Sequence, residues 1–364
     1  MAGKAYSTLY RCPVSLTEAG SDFFWLCELT KPAKECILSW NAQRPAIGFL
    51  QFFLRLKNDA GWSPWHSWAE WGSKAGQPWQ KGYKPQRFDS YALHEDLIIG
   101  QGITAVEVKV EGQEGASAAQ LKQLYLSCLE AFEEHPKMSP PNSSIALPLS
   151  GYSQKLIAHA RNRHLCSPAS LYAVLCYFQP KQKAILSLVA GVHDQENDIY
   201  GNWPLNVAEG YSALHGTFNL CVHRLSDFHS LHNQLQIGMP VIVSVKGELQ
   251  GAPKVYADGH LMVVRGYDAQ SNTVLCLDPC AENHENTPIA YPYGDFMHAW
   301  AARKHLCYLI EAIPNVRSSS NKRQIRALRE KKLSNMTYYK VANRVLIMQL
   351  LLISMPFLYA GCAP

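Results

Sequence analysis

One cysteine stands at the start of a stretch that is typical of a helix. Cys166 begins the segment CSPASLYAVLCYF (166–178), in which leucine, valine and phenylalanine recur at helical spacing. Ser167 and Pro168 are favourable residues for the first turn of a helix. Free N–H groups at a helix N-terminus lower the pKa of a thiol, so Cys166 is a candidate nucleophile. Because a cysteine in this position is more often a plain core residue, the hypothesis needs a base and an orienting group elsewhere.

A histidine and an aspartate further along the chain are candidates for these two parts. His260 opens an apolar run, LMVV (261–264), which is typical of a buried strand. After a turn the chain returns as TVLCLD, which ends at Asp278 because Pro279 cannot continue a strand. In an antiparallel hairpin, the start of one strand and the end of the next lie side by side. We therefore expect His260 and Asp278 to be neighbours, at an open strand end where a cleft can form.

The remaining chemistry-bearing residues predict no metal or cofactor. The sequence holds 11 cysteines but no Cys-x-x-Cys pair, and Cys276 and Cys280 have no matching His/Cys pair. There is no glycine-rich phosphate loop. The net charge of +5 comes partly from a basic run at 317–333, which is typical of a solvated tail and predicts no nucleic-acid partner. The odd number of cysteines, mostly in apolar runs, indicates a reducing compartment.

The elements that must position Cys166, His260 and Asp278 follow an α+β plan. After the helix that begins at Cys166, strand-like runs occupy 240–247, 260–268, 273–278 and 306–313. One helix followed by an antiparallel sheet predicts an α+β domain, which we place at residues 150–315.

The first part of the chain has a different pattern. Residues 1–132 contain short β-type runs separated by Gly, Pro and Asn/Asp turns, with clear alternation in QFFLRLK and AVEVKVEG. This spacing predicts an all-β sandwich. Within it, four tryptophans recur every third residue, at Trp62, Trp65, Trp68 and Trp71. The row is suited either to binding sugar or peptide or to covering the core and edge of the sandwich, and we favour the second interpretation.

The segments that flank the α+β domain are expected to be a linker and a tail. Residues 133–149 have the Pro/Ser-rich composition of a linker, and 316–344 form a basic tail. The uncharged segment 345–361 ends before Cys362 and has three interpretations: a membrane anchor, a lipoprotein signal from a fused neighbouring reading frame, or a buried helix. The N-terminus has no apolar signal region, so we expect a protein that is cytoplasmic, exported by a route other than Sec, or associated with a membrane through this segment.

The ordered motifs of the second half resemble those of one family. CSPASLYAVL (166–175), GHLMVVRGYD (259–268) and LCLDP (275–279) are similar to the three motifs of the C39-like cysteine peptidases, which have a papain-like fold. The Cys-Ser-Pro-x-Ser sequence resembles a bacterial subgroup in which a β-sandwich precedes the peptidase domain. GNWPLN (201–206) and FMHAW (296–300) match in the same order. The resemblance covers about 150–315 and ends before the C-terminal tail.

The resemblance implies a role for each candidate residue. Cys166 corresponds to the nucleophile, His260 to the general base and acid, and Asp278 to the residue that orients the histidine. Gln154, in GYSQ, corresponds to the glutamine whose amide helps to form the oxyanion hole. The implied reaction is hydrolysis of a peptide or isopeptide bond in a peptide or protein substrate, through a thioester. Ser167 stands where many relatives have glycine, and the export signal usual in the family is missing.

Two other functions are compatible with the same sequence. A thioester can pass its acyl group to an amine instead of to water. With an amine acceptor, the protein would be an acyl transferase of the transglutaminase-like kind. A binding protein would use the tryptophan-rich sandwich and keep the second half as a scaffold. The presence of Cys166, His260, Asp278 and Gln154 together favours an enzyme.

Overall fold

A computed structural model describes residues 2–14, 22–135 and 139–313 of the chain. The first part of this range consists mainly of β-strands, and the second part contains both helices and strands. The strands are β1 Ala2–Pro13, β2 Phe23–Ala42, β3 Gly48–Asn58, β4 Gly61–Trp62, β5 His66–Lys74, β6 Gln77–Gly82, β7 Gln86–Arg87, β8 Tyr91–Leu93, β9 Ile98–Gln113, β10 Leu121–His135, β11 Ile145–Ala146, β12 Phe218–Arg224, β13 Val241–Gly247, β14 Tyr256–Asp268, β15 Thr273–Leu277, β16 Pro288–Pro292 and β17 Leu306–Ala312. The helices are α1 Cys166–Phe178, α2 Ile185–Val192, α3 Trp203–Ala213, α4 Phe228–Gln236 and α5 Tyr293–Ala301.

The first ten strands are hydrogen-bonded into a single antiparallel sheet. Its order is β1-β10-β2-β9-β3-β5-β6, with β4 beside β3 and β7 and β8 joined to it through β9. The predicted β-type runs fall in β2, β3, β8, β9 and β10, whereas β1 and β4 to β7 are further strands that were not predicted. A sandwich consists of two stacked sheets. The single continuous ten-stranded sheet therefore does not confirm the predicted β-sandwich.

The tryptophan row divides between core and surface. Trp68 and Trp71 are buried in the apolar core of this sheet, together with Trp40 and Phe52. A register shift between β3 and β5 leaves Trp68 in a bulge, which lets two residues three apart reach the same core. Trp62 and Trp65 are more than one-third exposed, so the core-covering interpretation holds for half of the row.

The second sheet carries the candidate site residues. Its antiparallel order is β12-β17-β13-β14-β15-β16, and β11 pairs with β14. Helix α1 packs on β14, while α4 and α5 pack on β13 and its neighbours. The predicted α+β plan is therefore observed. Helices α2 to α5 were not predicted, and β11 lies inside the segment 133–149 that was predicted as a linker.

The first sheet and the α+β half contact each other through both apolar packing and hydrogen bonds. Helix α3 packs on β2, and its Leu205 and Ala208 belong to the core of the first sheet. The Asn41 amide donates to the Leu220 carbonyl over 2.6 Å and accepts from the Leu220 N–H over 3.1 Å. A side chain of β2 thereby satisfies the free backbone edge of β12. Met1–Ile313 form one compact unit, and the boundaries at 132 and 150 stay a prediction.

The predicted basic tail, 316–344, and the apolar segment, 345–361, lie outside the described residues. Within 2–14, 22–135 and 139–313, no helix is long and apolar enough to cross a membrane.

Candidate active site

Cys166 is the first residue of α1, as the spacing of apolar residues predicts. The helix is anchored at this end by two buried serines. The Ser167 hydroxyl donates to Asn206 Oδ1 on α3 over 2.8 Å and lies 3.0 Å from the Tyr308 hydroxyl on β17. One turn later the Ser170 hydroxyl donates to the Leu261 carbonyl on β14 over 3.1 Å. The start of α1 is thus bound to the strand that carries His260.

The structure brings Cys166, His260 and Asp278 together. His260 lies in β14 and Asp278 directly follows β15, its antiparallel neighbour, as the hairpin argument predicts. His260 Nε2 is 2.8 Å from Asp278 Oδ1. The imidazole and the Cys166 thiol are close enough to shift each other's pKa, and because Nε2 faces the carboxylate, Nδ1 is the nitrogen left for the sulfur. Asp278 is fully buried and His260 is 4% exposed.

The pKa values of Cys166 and His260 move in the directions that an ion pair requires. Burial alone would raise the pKa of the Cys166 thiol, but the hydrogen bond and charge of His260 lower it below the ordinary value. The backbone N–H groups of Leu261 and Ser167 act in the same direction. Burial would lower the pKa of His260, but the charge and hydrogen bond of Asp278, together with Cys166, raise it to about 9. Thiolate and imidazolium therefore stabilise each other.

Cys166 differs in this respect from the other cysteines that the structure describes with a perturbed pKa. Burial raises the thiol pKa of each of the others, which favours the neutral form. These cysteines lie in strands, in α1 or in the loop after β15: Cys12, Cys27, Cys128, Cys176, Cys221, Cys276, Cys280 and Cys307. A depressed thiol pKa next to a histidine is the signature of a reactive cysteine.

Asp278 is held by two tyrosines that sequence reasoning did not single out. The hydroxyls of Tyr256 and Tyr291 donate to Asp278 Oδ2 over 2.5 and 2.6 Å. The Cys280 N–H donates to Oδ1 over 2.8 Å. Burial would raise the pKa of Asp278, but His260, with help from both tyrosine hydroxyls, lowers it to about 2. The carboxylate is therefore charged at neutral pH. No sequence motif predicts that Tyr256 and Tyr291 contact Asp278.

Gln154 lies in a buried turn that is attached to both sides of the site. Its backbone N–H donates to the Pro279 carbonyl over 2.8 Å, just after Asp278. Its side-chain Nε2 donates to the Asn162 carbonyl over 3.1 Å, four residues before Cys166. The second N–H of that amide is not used in this bond, and Oε1 is buried with no hydrogen-bond partner among the described residues. Gln154 thus has spare polar groups close to the start of α1.

A cavity of about 690 Å³ lies between the loop from β13 to β14 and helix α5. The loop ends at Val255, directly before Tyr256 at the start of β14. Its lining mixes apolar and charged side chains, namely Glu248, Leu249, Gln250, Ala252, Lys254, Val255, Asp295 and His298. Over the described ranges, no three His, Cys, Asp or Glu side chains are grouped so that they could hold a metal ion.

Comparison with known proteins gives one family match and one similar solved structure. Residues 147–308, which contain every candidate site residue, match the Peptidase_C39 like family. The crystal structure of xylellain, a cysteine protease from Xylella fastidiosa, is similar at a TM-score of 0.33 and 13% identity, covering 50% of this chain and 91% of that one. A likeness at that level carries no argument about function. No curated protein matches the chain significantly.

The family match over residues 147–308 supports a cysteine-type peptidase. Its substrate is accordingly a peptide or protein. The first sheet lies before the matched segment.

Proposed function

We propose that this peptidase hydrolyses a peptide or isopeptide bond through a triad of Cys166, His260 and Asp278. The observation that carries the proposal is the continuous contact from the Cys166 thiol at a helix start, through the His260 imidazole, to the buried Asp278 carboxylate. The base interacts with the nucleophile on one side and with the orienting group on the other, which is what nucleophilic catalysis by a thiol requires.

The geometry supports a reaction in two halves. The Cys166 thiolate attacks the carbonyl carbon, and the charge that develops on the carbonyl oxygen is met by the Gln154 side-chain N–H and a backbone N–H at the start of α1. The C–N bond then breaks as the His260 imidazolium gives its proton to the leaving amine, which leaves a thioester on Cys166. In the second half, His260 removes a proton from water, the hydroxide attacks the thioester, and the thiolate is released.

The decisive experiment measures the reactivity of every cysteine separately. The protein is treated with iodoacetamide across a range of pH, and peptide mass spectrometry gives an alkylation rate for each cysteine. We expect Cys166 alone to react fast well below an ordinary thiol pKa of about 8.5. We expect His260→Ala to remove this advantage. If wild-type Cys166 reacts no faster than the other cysteines, the triad proposal is wrong.

Hydrolysis and acyl transfer are separated by the fate of the acyl group. A peptide substrate is incubated with the enzyme in the presence and absence of a primary amine such as glycine amide. Hydrolysis predicts the free carboxylic acid as the main product in both cases, while a transferase predicts an amide product that increases with amine concentration. Cys166→Ala serves as the control and should give neither product.

A further inference from the structure

Asp278 accepts hydrogen bonds from four directions, which leaves it no freedom to rotate. Oδ1 accepts from His260 Nε2 and from the Cys280 N–H, both over 2.8 Å. Oδ2 accepts from the hydroxyls of Tyr256 and Tyr291. A buried carboxylate accommodates about four such donors, so the set is complete. Burial and the charge of Asp278 raise the pKa of both tyrosines, which therefore remain neutral donors.

Tyr256 differs from Tyr291 because it also contacts the histidine. Its ring stacks on the His260 imidazole with centroids 4.0 Å apart and planes inclined by only 8°. The hydroxyl of the same ring reaches past the imidazole to Asp278. Tyr256 thus contacts both the base and its orienting group, whereas the Tyr291 hydroxyl donates to the carboxylate.

This stacking depends on an irregularity in β14. Residues four apart in a regular strand are separated by about 13 Å, too far for ring contact. Against β13, however, His260 pairs with Val245 and Tyr256 with Gly247, so four steps on β14 oppose two on β13. Gly259 lies in the extra stretch with φ of +98°, a conformation that favours glycine. The bulge folds the strand so that Tyr256 comes to lie over the imidazole.

Building on the proposed triad, we infer that Tyr256 is a positioning residue that fixes the plane of the His260 ring. With Nε2 held by Asp278, the imidazole is still able to turn about the axis through that bond. The flat contact with Tyr256 removes this freedom and keeps Nδ1 directed at the Cys166 sulfur. The two tyrosine hydroxyls have a separate and shared role, which is to hold the carboxylate.

Four variants separate the ring from the hydroxyl. Tyr256→Phe and Tyr291→Phe each remove one hydroxyl from the same carboxylate oxygen, and both leave an aromatic ring stacked on His260. Tyr256→Leu and Tyr291→Leu remove ring and hydroxyl together. For each variant, the alkylation rate of Cys166 near pH 6 is measured by peptide mass spectrometry, and kcat and KM are measured on a peptide substrate. Thermal unfolding shows whether each variant is folded.

We expect both Phe variants and Tyr291→Leu to lower the alkylation rate by no more than about threefold, because the imidazole plane is retained. We expect Tyr256→Leu to lower the alkylation rate and kcat by at least about tenfold, with KM little changed, because misdirected Nδ1 no longer stabilises the thiolate. Recovery of the rate in Tyr256→Phe relative to Tyr256→Leu would assign the effect to the ring.

Two results would overturn the inference. One is an equal loss in Tyr256→Leu and Tyr291→Leu. The other is a loss in Tyr256→Phe that exceeds the loss in Tyr291→Phe by tenfold or more; this comparison remains decisive if Tyr256→Leu does not fold. The wild-type protein separates failure of the triad from failure of the positioning role. Slow alkylation of wild-type Cys166 would contradict the triad itself. Fast alkylation in the wild type, with the same rate in the Tyr256 variants, would contradict only the positioning role.

Discussion

At the scale of single residues, the site is a chain of groups whose charges depend on one another. The buried Asp278 carboxylate favours a charged His260, and the charged imidazole favours the Cys166 thiolate. Burial opposes ionisation at every step, so each charge persists only because its neighbour is aligned with it. Substitutions at the three positions should therefore differ in severity according to what each group does in the reaction.

Asp278→Asn should slow turnover less than His260→Ala does. An asparagine keeps an oxygen towards His260, and its amide is able to donate to tyrosine hydroxyls that have rotated to accept. Loss of the imidazole removes proton transfer itself, worth about 10²- to 10⁴-fold. The measurement is kcat/KM on one peptide substrate, with Asp268→Asn at the opposite end of β14 as a control expected to match wild type. The reverse order of severity would mean that another residue orients the histidine.

Hydrolysis and alkylation should respond differently to high pH. Because the pKa of His260 is raised to about 9, the imidazolium that protonates the leaving amine is present below that pH and is lost above it. Peptide hydrolysis should therefore fall as the pH rises through about 9. Alkylation of Cys166 needs only the thiolate, so its rate should not fall over the same range. Parallel pH profiles for the two reactions would contradict the assignment of His260 as general acid.

At the scale of elements, the site depends on the contact between α1 and β14. The helix supplies Cys166 and the strand supplies His260, and Ser170 bonds one directly to the other. Leu261, which accepts this bond through its carbonyl, also offers its N–H to the thiol. A shift of α1 along β14 would separate all of these groups at once.

Ser170→Ala and Ser167→Ala provide a matched test of that contact. Each removes one buried hydroxyl from the first turns of α1, and each should lower the free energy of unfolding by about 1–3 kcal/mol. Only Ser170 bonds to β14, so only Ser170→Ala should slow Cys166 alkylation near pH 6 markedly. Chemical denaturation and peptide mass spectrometry supply the two readouts. Equal alkylation rates in both variants would show that this hydrogen bond does not set the position of the thiol.

At the scale of the whole described chain, the first sheet is part of the structure that supports the peptidase half. Glu35 on β2 forms a buried ion pair with Arg224 on β12 over 2.6 Å, and Lys304 binds the same carboxylate. Arg224 also donates to the Arg303 carbonyl over 2.7 Å, in the turn before β17. Arg44, which follows β2, pairs with Glu209 on α3 over 2.9 Å. These contacts tie the two sheets together on several elements.

Removal of one partner from the buried pair should destabilise the described unit strongly. Glu35→Gln leaves the buried Arg224 cation without its counter-charge, and we expect a loss of about 3–5 kcal/mol in the free energy of unfolding. The control is Glu311→Gln, which breaks the more exposed Arg11–Glu311 pair and should cost at most about 1 kcal/mol. Denaturant titration measures both. Similar small losses would indicate that the first sheet and the peptidase half unfold independently.

Local pattern was sufficient to predict the long strands β2, β3, β9 and β10 of the first part, β13, β14, β15 and β17 of the second, the helix that starts at Cys166, and the proximity of His260 to Asp278. Each of these features is encoded over short distances, by apolar periodicity, by a proline that ends a strand or by the two arms of one hairpin. The catalytic roles of Cys166, His260, Asp278 and Gln154 rest on motif resemblance and stay predictions until the variants are measured.

Features that depend on residues far apart in the chain emerged only from the folded arrangement. Tyr291 meets Asp278 through the pairing of β15 with β16, and Tyr256 meets His260 only because a bulge at Gly259 shortens the strand. The joining of ten strands into one sheet, and the use of Asn41 to cover an edge of the other sheet, likewise depend on how strands find partners. Alternation fixes which face of a strand is apolar, but not which strand lies beside it, because that choice is made by the packing of the whole core.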